Sequence, residues 1–213
     1  MTQKNSENRY HLKLANISKR FGRTLLFKKL SLEVSSGEIA AVVGWNGSGK
    51  STLLRIIAGL IRPTRGEIEY HENGNQINAD ERRNYIGMVA PALALYDELS
   101  AIENLEFLAQ VRGLKIIRER YYSLLEQLGL KGWENANYGI YSSGMKQRLK
   151  IAQAVLHNPP LLLLDEPFNN LDTKGIDAVD KIIHEQKKRA ITIIASNEQR
   201  EIDYADRIIN LSE

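Results

Sequence analysis

The chain has 213 residues, enough for one or two packed domains, and its 43% apolar and 26% charged residues are the proportions of a soluble globular protein. No apolar run nears the roughly 20 residues needed to cross a bilayer, residues 1–8 are polar where a signal peptide would have an apolar core, and there is no cysteine for a disulfide or thiolate metal site. A cytosolic protein is expected, and a net charge of +3 is too mild to point to a nucleic acid partner.

Residues 10–17 and 25–34 show partial alternation of apolar and polar side chains and predict two strands of an N-terminal antiparallel sheet. Residues 38–43 read as a buried strand. The next eight, Gly44-Trp45-Asn46-Gly47-Ser48-Gly49-Lys50-Ser51, fit G-x-x-x-x-G-K-[ST], and residues 50–60 read as an amphipathic helix. A strand before this motif and a helix after it are what a phosphate-binding loop requires. Its glycines let backbone N–H groups turn inward around an anion at a helix N-terminus. Lys50 would reach the β- and γ-phosphates and the Ser51 hydroxyl would bind Mg²⁺. Residues 67–70 alternate again, and Asn73-Gly74 is a turn signal.

A second αβ pattern follows the strand at residues 86–89. Ser100 and Glu103 form a capping box for a helix running to Arg112, stopped at Gly113. Further helices are predicted at 116–128, 145–156, 173–188 and 198–204, and strands at 161–164, 190–195 and 208–211. Strands alternating with helices imply a mostly parallel sheet covered on both faces. The strand of residues 161–164 runs into Asp165 and Glu166, placing two carboxylates where ligands gather in such sheets. Asp165 would hold Mg²⁺ through water, and Glu166 would orient or deprotonate the attacking water. His11, His71, His157 and His184 show no ligand spacing and read as surface or packing residues; Trp133 reads as core.

Three further motifs give the sequence a family likeness. Tyr141-Ser142-Ser143-Gly144-Met145-Lys146-Gln147-Arg148 precedes the acidic strand, Asn169-Asn170-Leu171-Asp172 follows it, and Phe21 lies upstream of the phosphate loop. Over nearly its whole length the chain resembles the ATP-binding cassette of ABC transporters. The first segment is similar to that family's L-S-G-G-Q signature, the second to its D-loop, and Phe21 stands where the family stacks an aromatic ring on adenine. The resemblance implies an α/β P-loop NTPase (RecA-like) core, an N-terminal antiparallel β subdomain and an inserted helical subdomain at about 92–158, all within one domain spanning 1–213. It implies ATP and Mg²⁺ as ligands: Asn46, Gly47, Ser48, Gly49, Lys50, Ser51 and Thr52 around the phosphates, Phe21 on the base, and Ser51 and Asp165 toward the metal. Ser142 and Gly144 would meet the ATP held by a second cassette, identical or different, in a head-to-tail sandwich. A separate transmembrane permease is the implied partner, with the cassette on the cytoplasmic face of the membrane.

The sequence departs from the family pattern at four places. Trp45 stands where proline is common, and Met145 where the signature has glutamine. Pro91 falls at the Q-loop glutamine, which contacts Mg²⁺ and water, and Asn197 at the switch histidine. Proline offers no such ligand and stiffens the loop; the Asn197 amide can donate a hydrogen bond but cannot become cationic. ATP binding with weakened hydrolysis is expected, with Glu166 and Asn197 as catalytic residues. The resemblance extends to exporter ATPases, including that of the haem exporter used in cytochrome c maturation. Two other readings are a nucleotide-binding regulator without hydrolysis and a soluble, non-transport cassette protein; the compact interval between phosphate loop and signature argues against the latter.

Overall fold

The computed structural model describes residues 9–212, so the polar segment of residues 1–8 discussed above lies outside the described residues. Two long strands, β1 (Tyr10–Phe21) and β2 (Thr24–Ser35), form a hairpin that turns tightly at Gly22-Arg23, with Phe21 opposite Thr24. Both exceed their predicted bounds because pairing carries the ladder beyond the buried residues that give the alternation. β4 (Arg65–Glu72) and β5 (Asn75–Gln76) complete an antiparallel sheet in the order β2-β1-β4-β5, and Asn73-Gly74 forms the expected turn between them.

The second sheet is parallel. β3 (Ile39–Val43), β6 (Ile86–Val89), β7 (Leu161–Asp165), β8 (Ile191–Ala195) and β9 (Arg207–Asn210) run in the order β6-β7-β8-β3-β9. Every residue of β7 and β8 is buried, which is why these strands read as continuous apolar runs. Their side chains still alternate between two cores. Leu161 and Leu163 join Leu12, Leu14, Val34, Leu53 and Leu54 on the face covered by the antiparallel sheet and α1 (Lys50–Ile57). Leu162 and Leu164 pack on the other face with residues of α2 (Ala101–Val111), α3 (Arg118–Gln127), α4 (Ser143–Val155) and α5 (Thr173–Lys187).

Helix ends account for most departures from the expected bounds. α1 stops at Ile57 rather than near residue 60, where Gly59 takes a left-handed φ of 75°. α6 is a single turn, Gln199–Ile202, shorter than the 198–204 expected. The capping box of α2 is present as predicted: Glu103 N–H donates to Ser100 Oγ at 3.2 Å, and Ser100 N–H to Glu103 Oε2 at 2.8 Å. Replacing Ser100 by Ala should cost about 1 kcal/mol of unfolding free energy in a urea titration; no change would mean water caps the helix equally well. Trp133 is not core. It is 43% exposed, with its ring edge-on to buried Tyr141, because the segment after α3 runs along the surface. Among the described residues no helix is long and apolar enough to cross a membrane.

Candidate functional site

The register of the parallel sheet gathers the motifs at one rim. Ala195, the last residue of β8, sits between Val42 of β3 and Asp165 of β7, while Val89 of β6 is opposite Leu164. The phosphate loop after β3, Asp165-Glu166 after β7, Ser196-Asn197 after β8 and Ala90-Pro91 after β6 therefore all emerge at the carboxyl ends of adjacent strands, the usual place for a ligand in an open α/β sheet.

The loop itself depends on glycine at two positions. Gly49 precedes α1 with φ 106°, and a side chain there would meet Leu26 Cδ2 at 2.5 Å; a side chain at Gly44 would meet Ser48 Oγ at 2.6 Å. No side chain caps α1, so its first-turn N–H groups remain free to face a ligand. Lys50 is 6% exposed and donates from Nζ to the Gly44 carbonyl at 2.7 Å and the Trp45 carbonyl at 3.4 Å. Its ammonium is thus curled over its own loop. Trp45 points outward, 61% exposed.

Phe21, Asn46, Gly47, Gly49, Lys50, Ser51, Thr52 and Glu166 line one cleft of about 250 Å³. Ser48 lies buried beside it with its hydroxyl unpartnered. Phe21 is half-exposed at the end of β1, and Lys19 Nζ sits 4.7 Å from its ring centroid, so one aromatic face is already covered by a cation. Asp165 is buried with Oδ2 unpartnered; burial raises its carboxyl above the usual carboxylate range, against the pull of Ser51, Arg55 and Lys50. A glycine cradle with an unpartnered hydroxyl and an unpartnered carboxylate oxygen buried beside it would suit a triphosphate with a hard divalent cation.

Glu166 takes a left-handed φ of 51°, uncommon outside glycine, and is fixed there by its N–H on the Ala195 carbonyl at 2.9 Å. Its carboxylate accepts a short hydrogen bond from Asn169. Asn197 Nδ2 donates to Asn46 Oδ1 at 3.0 Å, tying the segment after β8 to the phosphate loop. Ser142 and Gly144 are not among the residues lining the cleft. Ser142 caps α4, accepting from Met145 N–H at 3.2 Å. Gly144 packs so closely on the segment after β7 that a Cβ would lie 2.7 Å from the Asn170 carbonyl.

Sequence reasoning missed Glu201. It is 2% exposed, and burial pushes its carboxyl up to about 7. Its Oε2 has no hydrogen-bond partner among the described residues, and only the nearby Ser196 hydroxyl and Phe168 backbone pull against the burial. A four-residue helix gives no periodic signal that would mark one of its carboxylates as buried. His157 is packed against the fold, as expected, and burial pushes it down to about 4, leaving it neutral at physiological pH.

The family model described as ABC transporter matches residues 27–169. An uncharacterized ABC transporter ATP-binding protein of Bacillus subtilis, YybJ, is 34% identical over 191 residues, covering 89% of this chain and 86% of its own. The bacitracin transport ATP-binding protein BcrA of Bacillus licheniformis is 38% identical over 187 residues, which is 87% of this chain but only 61% of that protein. A solved structure titled as the ATP binding subunit of an ABC transporter superposes with a TM-score of 0.82 at 30% identity, covering 94% of this chain and 85% of that one. A dimeric ATP-binding cassette in a post-hydrolysis state, bound to ADP and Pi, gives a TM-score of 0.82 at 28% identity, covering 94% of each chain.

Proposed function

We infer the role of this chain from its membership: it belongs to the ABC transporter family, as an ATP-binding cassette. We propose that it binds and hydrolyses ATP to energise a separate permease from the cytoplasmic face of the membrane, as one cassette spanning 1–213 with a helical part at about 92–158. The observation that carries this reading is the single cleft holding Phe21, the phosphate loop and Glu166. Phe21 would stack on adenine, and the loop amides with Lys50 would bind the β- and γ-phosphates. Ser51 and Asp165 would hold Mg²⁺, which neutralises charge on the phosphate oxygens when bound. Glu166 would take the proton of the attacking water.

The relative named for bacitracin transport supports a role in transport without giving its direction. None of these relatives is named as a haem exporter, so the proposal stays at the level of an ABC transporter cassette. Steady-state phosphate release from the purified chain tests it. Slow turnover that disappears in Glu166→Gln is expected; nucleotide binding without any phosphate release would favour the regulator instead.

Slow turnover is proposed because Pro91 and Asn197 stand where the family has glutamine and histidine. Asn197 is held by Asn46 and offers an uncharged donor in place of a titratable one. Asn197→His should raise turnover severalfold at saturating MgATP, since a positioned donor acts on the transferring phosphoryl group. An unchanged rate would show that the Asn46–Asn197 pair already fulfils that role.

A further inference from the structure

The Q-loop proline leaves a vacancy in the chemistry of the site, and the structure places an unusual cation beside it. Pro91, Tyr138, Ser143, Lys146, Gln147, Lys150, Asp165, Glu166 and their neighbours line a second cleft of about 290 Å³, which shares Glu166 with the phosphate-loop cleft. Ser143, Lys146, Gln147 and Lys150 lie three and four residues apart on α4, so they present one face to this cleft.

Two of the three long polar side chains on that face are already engaged. Lys146 pairs with Asp97 at 3.4 Å and lies 4.7 Å from the Tyr138 ring centroid. Gln147 donates to the carbonyls of Glu166 at 3.4 Å and Pro167 at 3.1 Å. Lys150 has no carboxylate partner among the described residues. Its Nζ donates to the Pro91 carbonyl at 3.2 Å, which aims the side chain from α4 toward the carboxyl end of β6. Two of its three N–H donors remain unused there.

Resting on the ATPase reading above, we propose that Lys150 stands in for the side chain missing at Pro91, anchoring the loop through its carbonyl and presenting its ammonium to the terminal phosphate of bound ATP. The arrangement is electrostatically consistent. Asp165 and Glu166 line the same cleft, and the γ-phosphate adds negative charge that only the triphosphate carries. Burial and the neighbouring Lys146 both lower the Lys150 pKa, so an anion arriving in the cleft is a favourable partner for it. A carbonyl alone is a weak acceptor for an ammonium compared with a phosphate.

The test is calorimetric affinity for a non-hydrolysable ATP analogue and for ADP, together with single-turnover hydrolysis, in wild type, Lys150→Met and Lys150→Arg. Lys150→Met should weaken the ATP analogue about tenfold while ADP stays within about twofold, the size expected for one charge-assisted hydrogen bond. Hydrolysis should fall with it, and Lys150→Arg should retain most of both properties. Adding Pro91→Gln to Lys150→Met should restore part of the preference for triphosphate. An unchanged ratio of the two affinities, even with faster amide exchange in residues 92–96, would reduce Lys150 to a fastener of the loop and overturn the proposal. If the wild type binds neither nucleotide, the phosphate-site reading itself fails and the proposal falls with it; if the wild type binds both, the ratio alone decides.

Discussion

Lys50→Ala is expected to abolish measurable binding of MgATP. The ammonium is nearly enclosed, and its two hydrogen bonds go to carbonyls of its own loop, Gly44 and Trp45. It therefore sits in the curl of backbone that would surround the phosphates, with no carboxylate partner among the described residues to neutralise it. A phosphate entering the loop gains charge-assisted hydrogen bonds worth about 1.5–3 kcal/mol each. Losing one or two of these lowers affinity by at least about tenfold, and losing the positive field of the nest as well carries the loss on toward a thousandfold. Calorimetry with ATP and ADP checks this, and Lys50→Arg separates charge from fit, since a planar guanidinium is too wide for the same enclosure. Because Lys50 also bonds the loop, amide exchange across residues 44–49 should be measured alongside. A mutant with normal affinity would show that the lysine serves the loop and not the ligand.

Much of this site was legible in the sequence because its chemistry is local. The phosphate loop, the acidic pair after β7 and the helix start at Ser142 each depend on residues adjacent in the chain, and neighbouring strands then bring the first two to one rim. The fold class followed for the same reason: continuous apolar runs in β7 and β8 and a capping box at Ser100 are short-range signals. What could not be read are contacts between distant segments. Asn46 with Asn197 joins residues 151 apart, and Lys150 with Pro91 residues 59 apart; nothing in either local pattern marks the partner. The buried Asn104 is a similar case. Its amide holds the backbone of Tyr96, Leu99 and Ser100, ordering the loop that leads from Pro91 to α2, yet in the helix pattern it reads as one polar residue among others. Trp133 was misread because a tryptophan can lay one edge on a tyrosine and still leave much of its ring in solvent.

Glu166→Gln should stop hydrolysis while leaving nucleotide binding intact, and should thereby trap two chains around two ATP molecules. The backbone already commits this residue to one place: its left-handed φ and the bond from its N–H to Ala195 hold it at the edge shared by both clefts. Glutamine preserves shape and can still meet Asn169, but it cannot accept a proton from water, and general-base loss is worth about 10²–10⁴ in rate. Binding should survive because the phosphate contacts proposed above would come from the loop and Lys50. Dimerisation is expected from the proposed sandwich, in which a second chain would complete the phosphate-loop cleft. Ser142 and Gly144 do not line it; at the start of α4 Ser142 already caps the Met145 amide, which leaves the amides of Ser143 and Gly144 to meet an anion. A second copy placed head to tail would close each cleft with those groups, and without hydrolysis nothing opens it again. Light scattering after size exclusion should show a dimer with MgATP and a monomer with MgADP. The dependence on bound ATP is testable within the same series: adding Lys50→Ala to Glu166→Gln should restore the monomer, because without bound ATP the two surfaces have nothing to share. A Glu166→Gln chain that binds MgATP yet stays monomeric at every concentration would exclude a sandwich of identical subunits and leave a different cassette as the partner.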